Sequence, residues 1–473
     1  MTSEDRSLRL KSKKRDNVIA VTKGRSVVVE SRGLNASNDV ELAIKRSDFP
    51  SDFLFGASTS AVQIEGSATK GGRGPSVWDC FTREFPEKIA DRSDINKSID
   101  SYKRYKKDVK ALNNLGVDSY RFSISWTRIL PNGSLTGGIN QEGIDHYNNL
   151  INELMKQGIK PFVTLFHFDS PQALQDKYGG FLSRSIVNDF KDYCEICFKF
   201  FGDRVKHWIT INEPLMIAQF GYDMGFAAPG RCSQSIGGCV AGNSSSEPYI
   251  VSHNMLLAHA AAARLYKKRF QAKQGGEIGI SLVGQYFEPY SESPEDVAAV
   301  GRALDFYLGW YMDPLVNGDY PRSMRNLVKN RLPTFTKAEK KMVKGSCDFI
   351  GINYYTSRYV KSLPIDPHAL PVSFTCDSFT DLKELLGDGI FSTFFKLQAE
   401  GSAFLYIYPH GLQKLLEYMK EKYQSPKIYI TENGGLLIFE WWENNEGVGS
   451  RDTAKSDAEE KELKEGIAAD IFI

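Results

Sequence analysis

Trp208-Ile209-Thr210-Ile211-Asn212-Glu213-Pro214 is a β-branched, apolar run that stops on two polar residues and a proline. Ile428-Tyr429-Ile430-Thr431-Glu432-Asn433-Gly434 repeats that form more than two hundred residues later. Each reads as a short buried strand whose last residue is a carboxylate, closed by a residue that ends the strand. Working outward, the same kind of run recurs at Phe53–Ala57, Ser119–Trp126, Pro161–Phe166, Ile278–Leu282 and Asp348–Ile352. Helical patterns at 99–115, 141–157, 184–201, 249–273 and 410–423 separate them. Strands alternating with long helices along one chain predict a parallel sheet with crossover helices. An open doubly wound sheet and a closed barrel both satisfy that pattern. No Gly-x-Gly-x-x-Gly turn follows the first strand, which removes the main support for a dinucleotide-binding sheet. Several strands instead end on polar residues: His167, Asn212-Glu213, Asn353 and Glu432-Asn433. A barrel gathers its chemistry at the C-terminal ends of its strands, so the expected fold is an α/β (β/α)8 barrel.

Composition narrows the function. The 473 residues carry a formal net charge of +1, against the basic surface that nucleic acid or an anionic membrane selects. No stretch approaches the ~18–20 apolar residues of a membrane span. Met1 through Arg15 is polar and basic without an apolar centre, so it does not read as a secretory signal, and a cytoplasmic or nuclear location is expected. Within it, Arg9-Leu10-Lys11-Ser12-Lys13-Lys14-Arg15 reads either as a solvated tail or as a nuclear-import patch. Residues 1–45 show neither helical nor strand periodicity and are expected to be a disordered extension. Of seven cysteines, Cys194 and Cys197 fall on an apolar helical face and read as buried thiols. Cys232 and Cys239 flank a short polar loop where a disulfide is easy to close, yet a disulfide fits poorly with a chain lacking a signal. No further ligand pair lies near them, so no metal site is expected.

The two carboxylate motifs, with Gln63-Ile64-Glu65-Gly66, Arg73-Gly74-Pro75-Ser76-Val77-Trp78-Asp79, Tyr120-Arg121-Phe122-Ser123-Ile124-Ser125-Trp126 and Gly351-Ile352-Asn353-Tyr354-Tyr355, resemble the signatures of glycoside hydrolase family 1. The resemblance runs from about residue 45 to 435. Phe181-Leu182-Ser183 after Tyr178-Gly179-Gly180, and Ala228-Pro229-Gly230-Arg231 before the cysteine loop, resemble its plant branch, in particular the enzymes that deglucosylate indole alkaloids such as raucaffricine and strictosidine.

The resemblance implies a retaining β-glucosidase that needs no cofactor and acts on a small-molecule β-glucoside of plant secondary metabolism. Glu432 would be the nucleophile and Glu213 the proton donor, ~5–5.5 Å apart. Arg121 and Tyr355 would hold the Glu432 anion. Gln63 and His167 would bind glucose hydroxyls, Asn212 the 2-hydroxyl, and Asn353 belongs to the same sugar site. Phe168 and Phe404 stand where relatives usually carry Trp, and the change at Phe404 is expected to alter aglycone preference. An intact Glu213 favours O-glycosides, since myrosinase-like relatives lose this acid.

Beyond Glu432 the chain departs from the family pattern. The expected layout is an extension over 1–45, a barrel over 46–435 whose eighth strand is missing or replaced, and a divergent tail over 436–473. Phe439-Glu440-Trp441 resembles part of the family's missing segment but follows the seventh strand too closely for a crossover helix. An open barrel would expose two strand edges. That leaves a second functional reading, a catalytically weak protein that binds and modulates full-length relatives, as well as association of the chain with itself.

Overall fold

The computed structural model describes residues 16–22, 26–32, 43–89, 92–366, 368, 370–383, 406, 408–433 and 470–472. Two compact units result: Met1–Phe53 with Asn114–Gly116, and Leu54–Asn113 with Val117–Ile473. In the first, β1 (Asp16–Thr22), β2 (Ser26–Arg32) and β3 (Ala43–Lys45) form an antiparallel sheet in the order β1-β2-β3, with Val21 opposite Val27 and Val18 opposite Glu30. This differs from the disorder expected over 1–45. Val18-Ile19-Ala20-Val21-Thr22 and Val27-Val28-Val29 are rich in β-branched residues without alternating, so composition rather than periodicity carried the strand signal.

In the second unit the strands are β4 (Gly56–Ser58), β5 (Ser119–Ser123), β6 (Lys160–Phe166), β7 (His207–Asn212), β8 (Glu277–Pro289), β9 (Phe349–Ser362), β10 (Thr380–Lys383), β11 (Ile428–Glu432) and β12 (Asp470–Phe472). From β4 to β9 each strand pairs in parallel with the next, and β11 continues the series on β9. These seven parallel strands in chain order are the curled sheet of a (β/α)8 barrel. At the position beyond β4, where an eighth parallel strand would lie, β12 runs antiparallel against β4, with Asp470 opposite Ser58 and Phe472 opposite Gly56. β8 and β9 run well past the expected Leu282 and Ile352. Their far halves pair through Pro289 and Val360, and β10 adds to β9 antiparallel.

The helices match their sequence patterns closely: Gln141–Lys156, Ile186–Phe201, Glu247–Arg269 and Pro409–Lys422. In Ile186–Phe201 the residues Phe190, Tyr193, Cys194, Cys197, Phe198 and Phe201 recur at three- and four-residue steps, and all are buried. Full burial of one such side chain stabilises the fold by about 1.5–3 kcal/mol. The Tyr193 hydroxyl lies 3.0 Å from the Ile124 carbonyl and 2.9 Å from the Leu165 carbonyl. It thereby fastens the C-terminal ends of β5 and β6, the rim from which the site is built. No helix among the described residues is long and apolar enough to cross a membrane.

Candidate active site

Period two along a strand sends alternate side chains to opposite faces, and two of the strands that carry the site break that rule. On β7 the Thr210 hydroxyl reaches outward, 2.6 Å from His259 Nδ1 on helix Glu247–Arg269. Regular alternation would send Asn212 the same way. A register shift between Ile209 and Asn212 turns it inward instead. On β11 a second shift, between Ile430 and Glu432, lets Thr431 and Glu432 both contact barrel-interior side chains. Bulges of this kind re-aim side chains beside active sites.

Glu213 follows at once with φ +42°, ψ +62°, a left-handed conformation uncommon outside glycine and costing on the order of 1–3 kcal/mol. Its amide donates to the Ser281 carbonyl at 2.9 Å, and Pro214 opens the next helical turn.

Arg121, fully buried, sits at the centre. Nη1 donates to the Glu432 carboxylate, to Ser58 Oγ at 3.0 Å and to the Thr431 carbonyl at 3.3 Å. Nε donates to Thr164 Oγ1 at 3.1 Å and Nη2 to Asn212 Oδ1 at 2.6 Å. The Tyr355 hydroxyl donates to the other Glu432 oxygen. Asn353 Nδ2 donates to Glu213 at 2.7 Å and to Asn212 Oδ1 at 3.0 Å. Asn212 Nδ2 donates to His167 Nε2 at 3.2 Å, which makes that nitrogen the acceptor. One connected network thus joins Glu432, Arg121, Asn212, Asn353 and Glu213.

The two carboxyl groups are driven apart electrostatically. Burial raises the Glu213 pKa and the neighbouring Glu432 anion raises it further, to about 8, against the Asn353 hydrogen bond and Arg121. Burial pushes Glu432 up as well, but there the Arg121 guanidinium and the Tyr355 hydroxyl win, and the group lies below the ordinary range. Near neutrality one carboxyl holds a proton and the other is an anion, the arrangement that acid-assisted nucleophilic displacement requires. His167, its pKa lowered by burial to about 3, is a neutral hydrogen-bonding group.

Seven of the expected residues meet here: Glu213, Glu432, Arg121, Tyr355, Asn212, Asn353 and His167. Gln63 does not join the network. It lies exposed beyond the end of β4, its amide oxygen accepting from Ser60 Oγ at 2.6 Å. Phe404 lies outside the described residues, as does the tail over 436–473 apart from β12. Cys232 and Cys239 form a disulfide, Cα–Cα 5.3 Å, and Cys194 and Cys197 are buried free thiols. Among the described residues no group of three or more His, Cys, Asp or Glu could hold a metal ion. Sequence reading passed over Ser58, Thr164, Ser281 and Thr431, small polar residues within strands that serve the central groups.

The fork of five donors on Arg121 has no equivalent in lysine. Arg121→Lys is expected to lower kcat/KM by about a hundredfold, the loss of one to two charge-assisted hydrogen bonds. Weaker support for the Glu432 anion raises its pKa, so the acid limb of the pH profile should move toward neutrality. A pH series of initial rates measures both effects.

The family model for glycosyl hydrolase family 1 matches residues 45–448. A furostanol glycoside 26-O-β-glucosidase from Hellenia speciosa is 56% identical over 417 residues, covering 88% of this chain and 72% of that protein. β-Glucosidase 12 from Oryza sativa subsp. indica is 53% identical over 432 residues, 91% of this chain and 82% of the relative. Among solved structures, a rice β-glucosidase superposes with a TM-score of 0.79 at 44% identity, over 89% of this chain and 86% of that one. A mutant of the rice enzyme in a covalent complex with glucose matches with the same score and identity, over 87% and 83%.

Proposed function

The chain belongs to glycosyl hydrolase family 1 and is a β-glucosidase, and from that premise we propose that it cleaves the O-β-glucosidic bond of a plant secondary-metabolite glucoside by double displacement. The observation that carries the mechanism is two buried carboxyl groups in one hydrogen-bonded network, Glu213 held by Asn353 and Glu432 by Arg121 and Tyr355, an arrangement that keeps the proton on Glu213. Glu432 attacks the anomeric carbon while Glu213 gives its proton to the leaving oxygen. Once Glu432 is esterified its charge is gone, which removes one of the two forces holding the Glu213 proton. Glu213 then accepts a proton from the water that releases glucose, and the Glu432 anion is restored. Asn212, donating from a carbonyl-pinned amide, is oriented to meet the 2-hydroxyl, and neutral His167 a neighbouring hydroxyl. The covalent complex of the rice relative with glucose supports the intermediate.

For the aglycone, support comes from the chain segment that follows Glu213. Phe220 and Phe226 pair there at 4.5 Å, and Phe226 is 48% exposed. An exposed Phe226 backed by the half-buried Phe220 of the helical turn Ile217–Gly221 suits a large apolar aglycone, and the furostanol glycoside of one relative is of that class. Alkaloid glucosides are the proposed group within it. The preserved carboxylate pair favours this reading over a catalytically weak regulator.

Proton NMR of the reaction tests the proposal. β-Glucose should form first and mutarotate later, and polycyclic glucosides should give a higher kcat/KM than a small alkyl glucoside. α-Glucose as the first product would overturn the double displacement, and a preference for the alkyl glucoside would overturn the aglycone assignment.

A further inference from the structure

Asn353 reaches Glu213 through an amide whose two ends are nearly the same shape but opposite in hydrogen bonding. Only the Nδ2 end stabilises a carboxylate, and the structure fixes that end from two sides. On one side Arg121 pins Asn212 Oδ1 as an acceptor, which calls for a donor from Asn353. On the other, Thr431 Oγ1 donates to Asn353 Oδ1 at 2.5 Å, and Ser281 Oγ donates to Thr431 Oγ1 at 3.0 Å. Ser281, Thr431 and Asn353 are all fully buried, so no water competes for these bonds. They stand on β8, β11 and β9, three neighbouring strands, and Gly351 leaves room for them: a Cβ there would meet Ser281 Oγ at 2.4 Å and Thr431 Oγ1 at 2.8 Å.

We propose that Ser281 and Thr431 form a hydroxyl relay that holds the Asn353 amide in its donating orientation, and so sets how readily Glu213 changes from acid to base. They touch neither sugar nor reacting atoms and are positioning residues. The inference rests on the reading of Glu213 as the acid and base. The chain of donors runs one way, Ser281 to Thr431 to Asn353 to Glu213. Each hydroxyl proton is used inside the chain, and the end of the chain favours the ionised carboxyl. Removing a hydroxyl leaves a buried acceptor without its donor, frees the amide to rotate and weakens its bond to Glu213. The Glu213 carboxylate loses support, so the group holds its proton to higher pH.

The test is the alkaline limb of kcat/KM against pH, with a glucoside whose leaving oxygen must be protonated, in Thr431→Val, Ser281→Ala and Thr431→Ser. The limb should move upward by about one pH unit in Thr431→Val, the worth of one hydrogen bond. It should move less, but in the same direction, in Ser281→Ala, and stay in place in Thr431→Ser, which keeps the hydroxyl. The kcat of an activated aryl glucoside near pH 6 should also fall several-fold in Thr431→Val, because deglucosylation needs ionised Glu213. Lower melting temperatures with an unmoved limb in both Thr431→Val and Ser281→Ala would make the hydroxyls merely structural and overturn the relay, as would a Thr431→Ser limb that follows Thr431→Val. Should Thr431→Val not fold, Ser281→Ala decides the matter alone, since it removes a single atom. Glu213→Gln measured beside them keeps the two claims apart: survival of the alkaline limb there would refute the role of Glu213, whatever the relay does.

Discussion

Replacing Glu432 by glycine is expected to abolish β-glucoside hydrolysis, a loss on the order of 10⁵-fold, as for removal of other covalent nucleophiles. Azide or formate should then restore turnover of an activated aryl glucoside. The reason lies in what the substitution leaves behind. The Arg121 guanidinium and the Tyr355 hydroxyl, which hold the carboxylate in the intact protein, would still face the vacated space, and a small anion suits both. Entering from the face opposite the aglycone, azide should give α-glucosyl azide. In Glu213→Gly the nucleophile survives, azide intercepts the glucosyl-enzyme from the other face, and the product should be the β-azide. The anomer recovered from each variant therefore assigns both carboxyl groups. The same anomer from both, or full activity of either variant without azide, would refute the assignment.

The second large effect belongs to Glu213→Gln. Hydrolysis of glucosides with poor leaving groups is expected to slow by about 10²–10⁴-fold, the usual contribution of a positioned general acid. Aryl glucosides whose leaving oxygen needs no proton should slow far less in the glucosylation step. The pH profile sharpens this. In the intact protein kcat/KM should fall as pH rises through about 8, where Glu213 loses the proton it must donate. It should fall again in acid, below the ordinary carboxylate range, as Glu432 is neutralised. The glutamine variant should keep the acid limb and lose the alkaline one. Equal slowing of both substrate classes would count against Glu213 as the acid.

Much of this site is legible in the sequence because its main parts stand where polar residues interrupt apolar runs, at the ends of β7 and β11 and within β9. Asn212-Glu213, Asn353 and Glu432 announce themselves in that way, and family resemblance adds Arg121 and Tyr355. The supporting hydroxyls do not. Ser58, Thr164, Ser281 and Thr431 belong to strands, where serine and threonine are ordinary β-sheet residues, and only the three-dimensional arrangement shows that the first two accept from Arg121 and the last two donate toward Asn353. The bulges on β7 and β11 are equally silent, since a register shift depends on the partner strand rather than on the run itself. The length of β8 and β9 was underestimated because Gly284 and the polar residues of Ser357–Ser362 break the apolar run while antiparallel pairing with β10 sustains β9. In the first unit, β-branched residues without alternation concealed two strands.

Arg121 and Glu432 are separated by 311 positions along the chain. At synthesis rates of about 5–20 residues per second, the cation leaves the ribosome some 15–60 s before its anion. Contacts of such long range form late, after loop closure has been paid for by more local pairings. The early strands must therefore hold together while a guanidinium destined for complete burial still requires water around it. The barrel interior near Arg121 cannot dry until β11 docks. Burial of the cation and assembly of its ion pair are therefore tied to the docking of one five-residue strand.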